Sequence, residues 1–486
     1  MKTIGDSLPR RFKATASGAL ASGDTVIVKS DGTVSVITET STVEGIGTEA
    51  IYETGGEVLN ASTAFDVNSG KVVIAYSDSS DWYGMAIVGT VSGTSISFGT
   101  AVVFESATVE HITAVYDPDA QKVVIAYQDE GNSSRGTAIV GTVSGTSISF
   151  GSATVFETGN TQDTRMSYDT NADKVVIAYQ DTSDSSYGKA VVGTVSGTSI
   201  SFGTVTNFNS ASTDFIDIAY DTNAQKHLIV YRDNGDGNDG NGNVATVSGT
   251  SISFGSEVEW HDTDPEYMAL SYDPDQQKVV IAFNDGNAPN IASAYVATIS
   301  GTSFSVGPKA TFDGQIVNIS ATYHAAAKKT VIIYRDDGNS NRGTVVNGTV
   351  SGTSISFTTP FVFETGPIMG GIPQNNMVSY DPTAEKSVIV FSDGGDSNKG
   401  KAFVYSTAFS STDLTSENYI GIAEYAASDT ETATVLIKGG VSTTQSSLTP
   451  GQAYFVQGDG ALGLTAGDPS VTAGTAVTST KLIVKG

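Results

Sequence analysis

The sequence predicts an all-β protein built around a seven-bladed β-propeller, and three observations favour this fold class. The 486 residues include 53 glycines and show no long stretch of helical apolar periodicity, which favours short strands and tight turns. A unit of about 52 residues recurs along most of the chain, which is typical of a repeat architecture. Each unit contains four strand candidates, the number found in a propeller blade.

Two sequence anchors define the repeat. The first is the apolar run KVVIAY and its variants, which begin at Lys71, Lys122, Lys174, Lys226, Lys278, Lys329 and Lys386. The second is an aromatic residue usually followed by an acid, at Tyr52, Phe104, Phe156, Phe208, Trp260, Phe312 and Phe363. Because both anchors occur seven times about 52 residues apart, with one longer final step in the first anchor, the repetition is structural and not low complexity.

The second unit illustrates the four strands. We expect strands over 111–116, 122–128, 137–143 and 146–157, with a hairpin turn at Ser144-Gly145. KVVIAY is apolar on both faces and rich in β-branched residues, as expected for a strand covered on both sides. Stacked propeller blades provide that cover, and a linear β-solenoid is the alternative.

The two ends of the repeat distinguish the propeller from the solenoid. The seventh unit lacks a fourth strand, since no SGTSISFG follows its third strand near 400–405. A segment that matches the fourth strand, VEGIGTEAIYETG (43–55), instead precedes the first unit. We therefore expect 43–55 to pair with the strand near 400–405 and close a ring, which removes two exposed sheet edges.

The segments outside the ring have another composition and predict a second domain. We expect residues 1–42 and 407–486 to fold together as a split β domain, a small sandwich or barrel, with the propeller (43–406) inserted in it. Its segments SGALASGDTVIVKSDGTV, YIGIAEYAASDTETATVLIKGGV and AGTAVTSTKLIVKG resemble the small β domain of tailed-bacteriophage decoration and fibre proteins. This chain differs from that family in carrying the whole propeller between Asp31-Gly32 and Gly421-Ile422-Ala423.

The resemblance implies a virion structural protein of the tail-fibre, head-fibre or decoration type. It further implies capsid or tail proteins as partners, self-association as a homotrimer, and synthesis in the host cytoplasm without a signal peptide. The formal charge of −27 argues against nucleic acid as a partner, and no apolar run is long enough for membrane insertion. The chain contains no cysteine, so a disulfide framework is excluded.

Strand parity divides the loops of the propeller between two faces. The YDxxxxK and SGTS turns are nearly constant among the units, and we call their side the hairpin face. The loops after the second and fourth strands vary freely, and we call their side the variable face. Variable loops on a rigid scaffold favour recognition, so we expect host-surface glycans to bind the variable face and the split β domain to lie on the hairpin side.

Candidate ligand-binding residues lie in or beside the variable loops. The aromatic candidates for stacking on sugars are Trp82, Tyr83, Tyr187 and Trp260, next to His261; packing between loops is the alternative. Arg232 and Arg335 occupy equivalent positions and predict a grip on a carboxylate sugar, with surface solubility as the alternative.

Acidic residues supply the candidate metal site. An Asp follows the second strand of every unit, and its simplest role is to cap its own loop. Calcium is the alternative, and the loop with Asp233, Asp236, Asn238 and Asp239 is the best candidate for it. We expect no other cofactor.

Three classes of function remain open at the level of sequence. We find no GxSxG, P-loop or HExxH motif and no sialidase Asp box, which favours a non-enzymatic protein. The leading reading is a phage structural protein that displays a glycan-binding propeller. The alternatives are a glycan-degrading enzyme, which needs paired carboxylates, and a free lectin.

Overall fold

The computed structural model describes residues 10–286, 290–369 and 377–485. Its regular elements are β-strands and two single-turn 3-10 helices, Glu130–Asn132 and Asp337–Asn339, which confirms the all-β class. None of the described residues forms a helix long and apolar enough to cross a membrane. Parts of the predicted loops 285–290 and 364–377 lie outside the described residues, as do residues 1–9.

The chain separates into two compact units. Residues 43–407 form the propeller unit, and residues up to 42 together with those from 408 onward form the split β domain. In the propeller unit, the described strands pair into seven antiparallel sheets, which we call blades 1 to 7. Each blade has four strands, which we label a to d from the inside outwards.

Strand a is the inner strand. In blades 1, 5, 6 and 7 it spans Val58–Asp66, Pro265–Asp273, Ile316–His324 and Val378–Asp381. In blades 2, 3 and 4 it is the second half of a long strand that begins as strand d of the blade before, at Val102–Asp117, Thr154–Asp169 and Thr206–Asp221.

Strands b and c are regular in every blade. Strand b spans Lys71–Asp78, Lys122–Asp129, Lys174–Asp181, Lys226–Asp233, Lys278–Asp285, Lys329–Asp336 and Lys386–Asp393. Strand c spans Tyr83–Ser92, Arg135–Ser144, Tyr187–Ser196, Asp239–Ser248, Ile291–Ser300, Arg342–Ser351 and Lys399–Ser406. The predicted KVVIAY strands are therefore confirmed.

Strand d is broken into two segments, where the sequence predicted one continuous strand. The first segments are Ser95–Phe98, Ser147–Phe150, Ser199–Phe202, Ser251–Phe254, Ser303–Val306, Ser354–Phe357 and, in blade 7, Gly45–Ile46. The second segments begin the three long strands or stand alone as Val258–His261, Ala310–Asp313, Phe361–Pro367 and Ala50–Glu53. Both segments pair with strand c of their own blade, so they act as one strand with a break.

The predicted ring closure is present. Strand c of blade 7 pairs with the N-terminal segments, with Tyr405 opposite Ile46 and Ala402 opposite Ala50. The inner strands contact one another in cyclic order, and that of blade 7 contacts that of blade 1. The ring is therefore continuous, and no blade is left with an uncovered face at a terminus, unlike a linear solenoid.

Contacts between blades explain the repeated phrase TVSGTSISFG. The hairpin loop is Gly145-Thr146, one residue later than predicted, because Ser144 pairs with Ser147. Gly145 has φ 62°, a conformation that glycine adopts without strain. A Cβ on Gly99 in blade 1 would lie 1.8 Å from the carbonyl oxygen of Thr146, so the Gly of one blade and the hairpin of the next must be retained together.

Blade 6 lacks this glycine, and the blade that follows it lacks the hairpin. Its phrase reads SGTSISFT, with Thr358 where the other blades have glycine. The next blade, blade 7, takes its strand d from the N-terminus and has no SGTS hairpin to accommodate. Thr358 instead bonds within its own blade, since its Oγ1 accepts a hydrogen bond from the Asn347 N–H over 3.2 Å.

The aromatic anchors fill the space between neighbouring blades. The ring of Phe156 in blade 2 lies 5.2 Å from the ring of Tyr179 in blade 3, and Tyr52 and Phe104 make the same contact with Tyr76 and Tyr127. The other face of the anchor ring covers a glycine of strand c. The second sequence anchor is therefore core packing.

The split β domain contains two five-stranded sheets and a two-stranded ribbon. The strand order of the first sheet is Arg11–Thr15, Thr432–Leu436, Tyr419–Ala423, Thr25–Val28 and Val34–Val36. The strand order of the second sheet is Val441–Ser442, Lys481–Val484, Val471–Thr478, Ala453–Val456 and Leu462–Gly463. The ribbon pairs Glu39–Thr42 with Phe409–Thr412. Ile27 and Tyr419 of the first sheet pack with Val456 and Val471 of the second in one buried cluster. Both terminal segments thus contribute to one core.

Substitution of Gly136 by Ala tests the packing between blades. A Cβ at this position would lie 2.4 Å from the ring of Phe156, so we expect the variant to lose about 1–3 kcal/mol of unfolding free energy through overpacking. Urea unfolding measures the loss. Gly314→Ala is the matched control, because nothing lies within 4 Å of a Cβ there. Equal stability of the two variants would contradict the packing role.

Candidate functional site

The variable face begins where each strand b ends in an aspartate. The Oδ1 atoms of Asp181, Asp233 and Asp393 accept hydrogen bonds from the backbone N–H two residues later, over 2.7 to 2.9 Å. Asp129 accepts instead from the N–H of Asn132 over 3.1 Å. These aspartates cap their own loops, the simpler of the two roles considered from sequence.

In blades 1, 2, 3, 6 and 7, the residue after the aromatic anchor of the preceding blade is a second acid beside the loop Asp. In blades 1, 2, 3 and 6, this acid accepts a hydrogen bond from a tyrosine hydroxyl on strand b. The hydroxyl–carboxylate pairs are Tyr76 with Glu53 at 2.9 Å, Tyr127 with Glu105 at 3.4 Å, Tyr179 with Glu157 at 2.9 Å and Tyr334 with Asp313 at 2.6 Å. Burial and the nearby carboxylate raise the pKa of these tyrosines, so the hydroxyls stay protonated as donors. We call each loop Asp and its neighbouring acid an acid site.

Two acid sites already contain a lysine. In blade 3, Lys189 Nζ lies 2.8 Å from Asp181 and 2.8 Å from Asp184. In blade 7, Lys401 Nζ lies 2.6 Å from Asp393 and 3.0 Å from Glu49. Burial alone would lower the pKa of both lysines, but the hydrogen-bonded carboxylates raise it, so both remain charged.

The blade 7 site contains the carboxylate group best placed for a metal ion. Among the described residues, Glu49, Glu364 and Asp393 are the one set of three acidic or histidine side chains whose ligand atoms lie within 4.8 Å of one another. Lys401 already bonds two members of this set, Asp393 and Glu49. A divalent ion would have to compete with its ammonium for these two carboxylates.

The residues of the candidate calcium site at 233–239 form one loop whose hydrogen bonds are described by the structure. Asp233 is buried and caps the loop, and Asp236 and Asn238 both donate backbone N–H groups to its carbonyl oxygen, at 3.2 and 3.0 Å. Asp239 begins strand c. The four residues form a hydrogen-bonded turn and do not belong to the carboxylate set described above, so calcium binding by this loop stays a prediction.

Trp260 and His261 also differ from the sequence expectation. Trp260 is only 4 % exposed, and its indole N–H donates to the carbonyl of Asn241 over 2.9 Å. His261 is 6 % exposed, and its ring lies 4.8 Å from that of Phe283 in blade 5. Both side chains fill the space between blades 4 and 5, so neither presents a ring to solvent.

The two arginines are engaged by the protein's own carboxylates. Arg232 makes two 2.8 Å hydrogen bonds to Asp214 and one of 2.7 Å to Asp264, and its guanidinium lies 4.5 Å above the ring of Phe215. Arg335 bonds Asp337 with both Nε and Nη2, at 2.6 and 3.1 Å. To bind a carboxylate sugar, either arginine would have to break its hydrogen bonds to these aspartates.

The remaining aromatic candidates lie at the ends of the loops between strands b and c. Trp82 is 44 % exposed, whereas Tyr83 and Tyr187 are half-buried. Trp82 has φ 61°, a left-handed conformation that is uncommon for a bulky residue. The equivalent residues in other blades have the same φ range and are small and polar: Ser134, Ser186, Asn238, Asn341 and Asn398.

Sequence reasoning missed a row of residues on strand a. His111, Asp163, Phe215, Tyr267 and Asn318 occupy one β-bulge position in successive blades and have φ between 46° and 52°. The N–H of Asp163 donates to His111 Nδ1 over 3.2 Å, and the N–H of Phe215 donates to the Asp163 carboxylate over 2.9 Å. The only sign of this row in the sequence is that these chemically different residues recur at the spacing of the repeat.

A buried ion pair lies next to this row. Arg165 Nε and Asp217 Oδ1 are 3.8 Å apart, and the Leu270 N–H donates to the other Asp217 oxygen over 2.6 Å. Burial raises the pKa of Asp217 to about 6, and the charge of Arg165 opposes that shift. The same burial lowers the pKa of His111, which keeps its ring neutral and able to accept.

Comparisons with known proteins give the fold. No family model matches the chain, and no curated protein does. The BP39L lectin from Burkholderia pseudomallei matches with a TM-score of 0.53 and 11% identity, over 73% of this chain and 98% of its own. Sqt1 from Chaetomium thermophilum matches with a TM-score of 0.45 and 10% identity, over 74% of this chain and 100% of its own. AofleA from Arthrobotrys oligospora matches with a TM-score of 0.39 and 10% identity, over 70% of this chain and 97% of its own. The likeness to BP39L supports the β-propeller class.

The buried Asp217 predicts a pH dependence of stability. Because its pKa is raised above the usual 3.8 in the folded protein, folding favours the protonated form, and the penalty for its charge is lost as pH falls through about 6. Relative to Asp217→Asn, the wild type should gain about 1 kcal/mol of unfolding free energy from pH 7 to pH 5. Urea unfolding at pH 7, 6 and 5 measures the difference, and parallel pH profiles would contradict the prediction.

Proposed function

We propose that the propeller is a non-enzymatic carbohydrate-binding module whose ligand surface is the variable face, centred on Trp82. The observation that carries the proposal is an exposed tryptophan held in a left-handed conformation. Strained backbone of this kind costs about 1–3 kcal/mol and is concentrated at functional sites. Five other blades use serine or asparagine at this position, so the scaffold itself does not require the ring.

The surroundings of Trp82 suit a polar ligand with an apolar face. Its N–H donates to the carbonyl of Asp78, and its carbonyl accepts from the N–H of Val109 in blade 2, so the loop is held between two blades. Asp78 Oδ2 accepts from the hydroxyl of Ser80 over 2.8 Å, which leaves polar groups beside the ring. An exposed ring next to hydroxyl and carboxylate groups matches the chemistry of a sugar, which has C–H faces and hydroxyl edges.

The structural comparison is consistent with this proposal. BP39L, whose fold this propeller shares in outline, is a lectin. The acid sites of blades 3 and 7 hold their carboxylates in bonds to lysine, which favours binding over acid–base chemistry there.

Replacement of Trp82 by Ser tests the proposal. Serine is the native residue at this position in blades 2 and 3, so the variant should fold and be equal to or more stable than the wild type. We expect binding on a glycan array to fall at least tenfold. Tyr425→Ser is the matched control, since Tyr425 is 62 % exposed in the split β domain. Unchanged glycan binding by the Trp82 variant, or release of shortened glycan fragments by the wild type, would overturn the proposal.

Attachment to a phage particle as a homotrimer stays a prediction, and it rests on the sequence resemblance. What supports it is that the segments carrying the resemblance are neighbours in the fold, since Thr25–Val28 pairs with both Val34–Val36 and Tyr419–Ala423. Mass spectrometry of purified particles and light scattering of the isolated protein test the two parts. Absence from particles, or a monomer in solution, would contradict the corresponding part.

A further inference from the structure

We propose that blade 6 carries a binding site for a primary ammonium group, formed on the variable face by Asp313, Asp336, Tyr334 and Thr344. This site is the acid site of blade 6. The proposal does not depend on the glycan-binding role of Trp82.

Blades 3 and 7 show which group an acid site accommodates. Lys189 and Lys401 lie at one position of strand c, where each pairs with the strand b aromatic, Tyr179 or Phe391. Both place an ammonium against the loop Asp. Thr344 occupies the equivalent position of strand c in blade 6, opposite Tyr334. Its side chain therefore lies on the side of the strand that faces the blade 6 acid site.

The blade 6 site has two carboxylates without a cation and one hydroxyl oxygen without a partner among the described residues. Asp336 is only 7 % exposed, and the groups that stabilise its charge are Gly338 and Asn339 of its own loop. Among the described residues, neither Asp336 nor Asp313 forms an ion pair. Thr344 is 1 % exposed, and its hydroxyl oxygen is buried without a hydrogen-bond partner in the described part of the chain.

The cations nearest in sequence are engaged elsewhere. Arg335 bonds Asp337, and Arg342 bonds the side chain of Asn339 and the carbonyl of Thr365. Burial raises the pKa of Asp336 and the like charge of Asp313 raises it further, while hydrogen bonds from Asn339 and Gly338 offset part of the rise. An added positive charge would therefore stabilise the site.

Blade 2 provides an internal contrast. It also has a threonine on strand c, Thr137, but that hydroxyl reaches the carbonyl of Arg135 at 3.4 Å. Among the described residues, the threonine hydroxyl is therefore partnered in blade 2 and unpartnered in blade 6.

The donors and acceptors favour an ammonium over a metal ion. A primary ammonium has three N–H donors, and the site offers Asp336, Asp313 and the Thr344 oxygen as acceptors. Asp313 keeps its bond to Tyr334, which fixes the direction of its free lone pairs. Calcium would need six to eight oxygen ligands. The ligand class is a small primary amine, and on the variable face the free amine of an amino sugar fits it.

The test compares the wild type with Thr344→Lys, which supplies the ammonium from the chain, as Lys189 and Lys401 do. We expect methylammonium chloride to raise the thermal unfolding midpoint of the wild type, and tetramethylammonium chloride at equal ionic strength to have no such effect, because it has no N–H donor. T344K should unfold at a higher temperature without ligand and should not respond to methylammonium. Glucosamine should act as methylammonium does.

The reverse variant, Lys401→Thr, makes a second open acid site in blade 7. It should lose stability and recover part of it in methylammonium, a response additional to that of the wild type. An unchanged methylammonium response in T344K would overturn the proposal. So would equal stabilisation by tetramethylammonium, by N-acetylglucosamine, whose nitrogen carries no charge, or by calcium chloride alone.

Discussion

The contact between neighbouring blades is the constraint on which the rest of the structure depends. Each blade has apolar side chains on both faces, and only another blade can cover them. The anchor ring fills the gap, as Phe156 does between Gly136 of its own blade and Tyr179 of the next. Since every blade needs two neighbours, a chain of such units is complete only when its last blade meets its first, and residues 45–53 make that closure.

The same contact decides which substitutions the repeat tolerates. In blades 1, 2, 3 and 6, the preceding blade supplies a carboxylate for the strand b tyrosine hydroxyl, as Glu157 does for Tyr179. In blade 7, strand b has Phe391, and Lys401 of strand c bonds the loop Asp393. Thr358 replaces glycine where no hairpin follows in the next blade. The substitution at Thr358 therefore follows a change in the adjoining blade.

Much of the fold could be predicted from sequence because its signals are local. Strand b is a continuous apolar run, Gly145 marks the hairpin, and the orphan segment at 43–55 matches the missing strand. The candidate site was harder, because burial by an adjoining blade leaves no mark in the sequence near the residue. In the sequence Trp260 looks like a loop aromatic, but in the structure it is packed between blades. Arg232 looks unpaired in the sequence, but in the structure it is bonded to Asp214 and Asp264. The bulge row from His111 onwards depends on register, which composition does not reveal.

A scaffold held by contacts between blades allows single positions on the variable face to change while the strand pairing of the ring is kept. The left-handed residue at the end of the loop between strands b and c is Ser in two blades and Trp82 in another, while the strands around it keep their pairing. The strand c position at the acid site is likewise Lys189 in one blade and Thr344 in another, opposite the same strand b tyrosine. Such positions differ in the side chain they carry, whereas the strand pairing around them is retained. A ligand that binds the variable face would therefore be selected by one or two side chains per blade, and blades that are nearly identical as folding units can carry different binding sites.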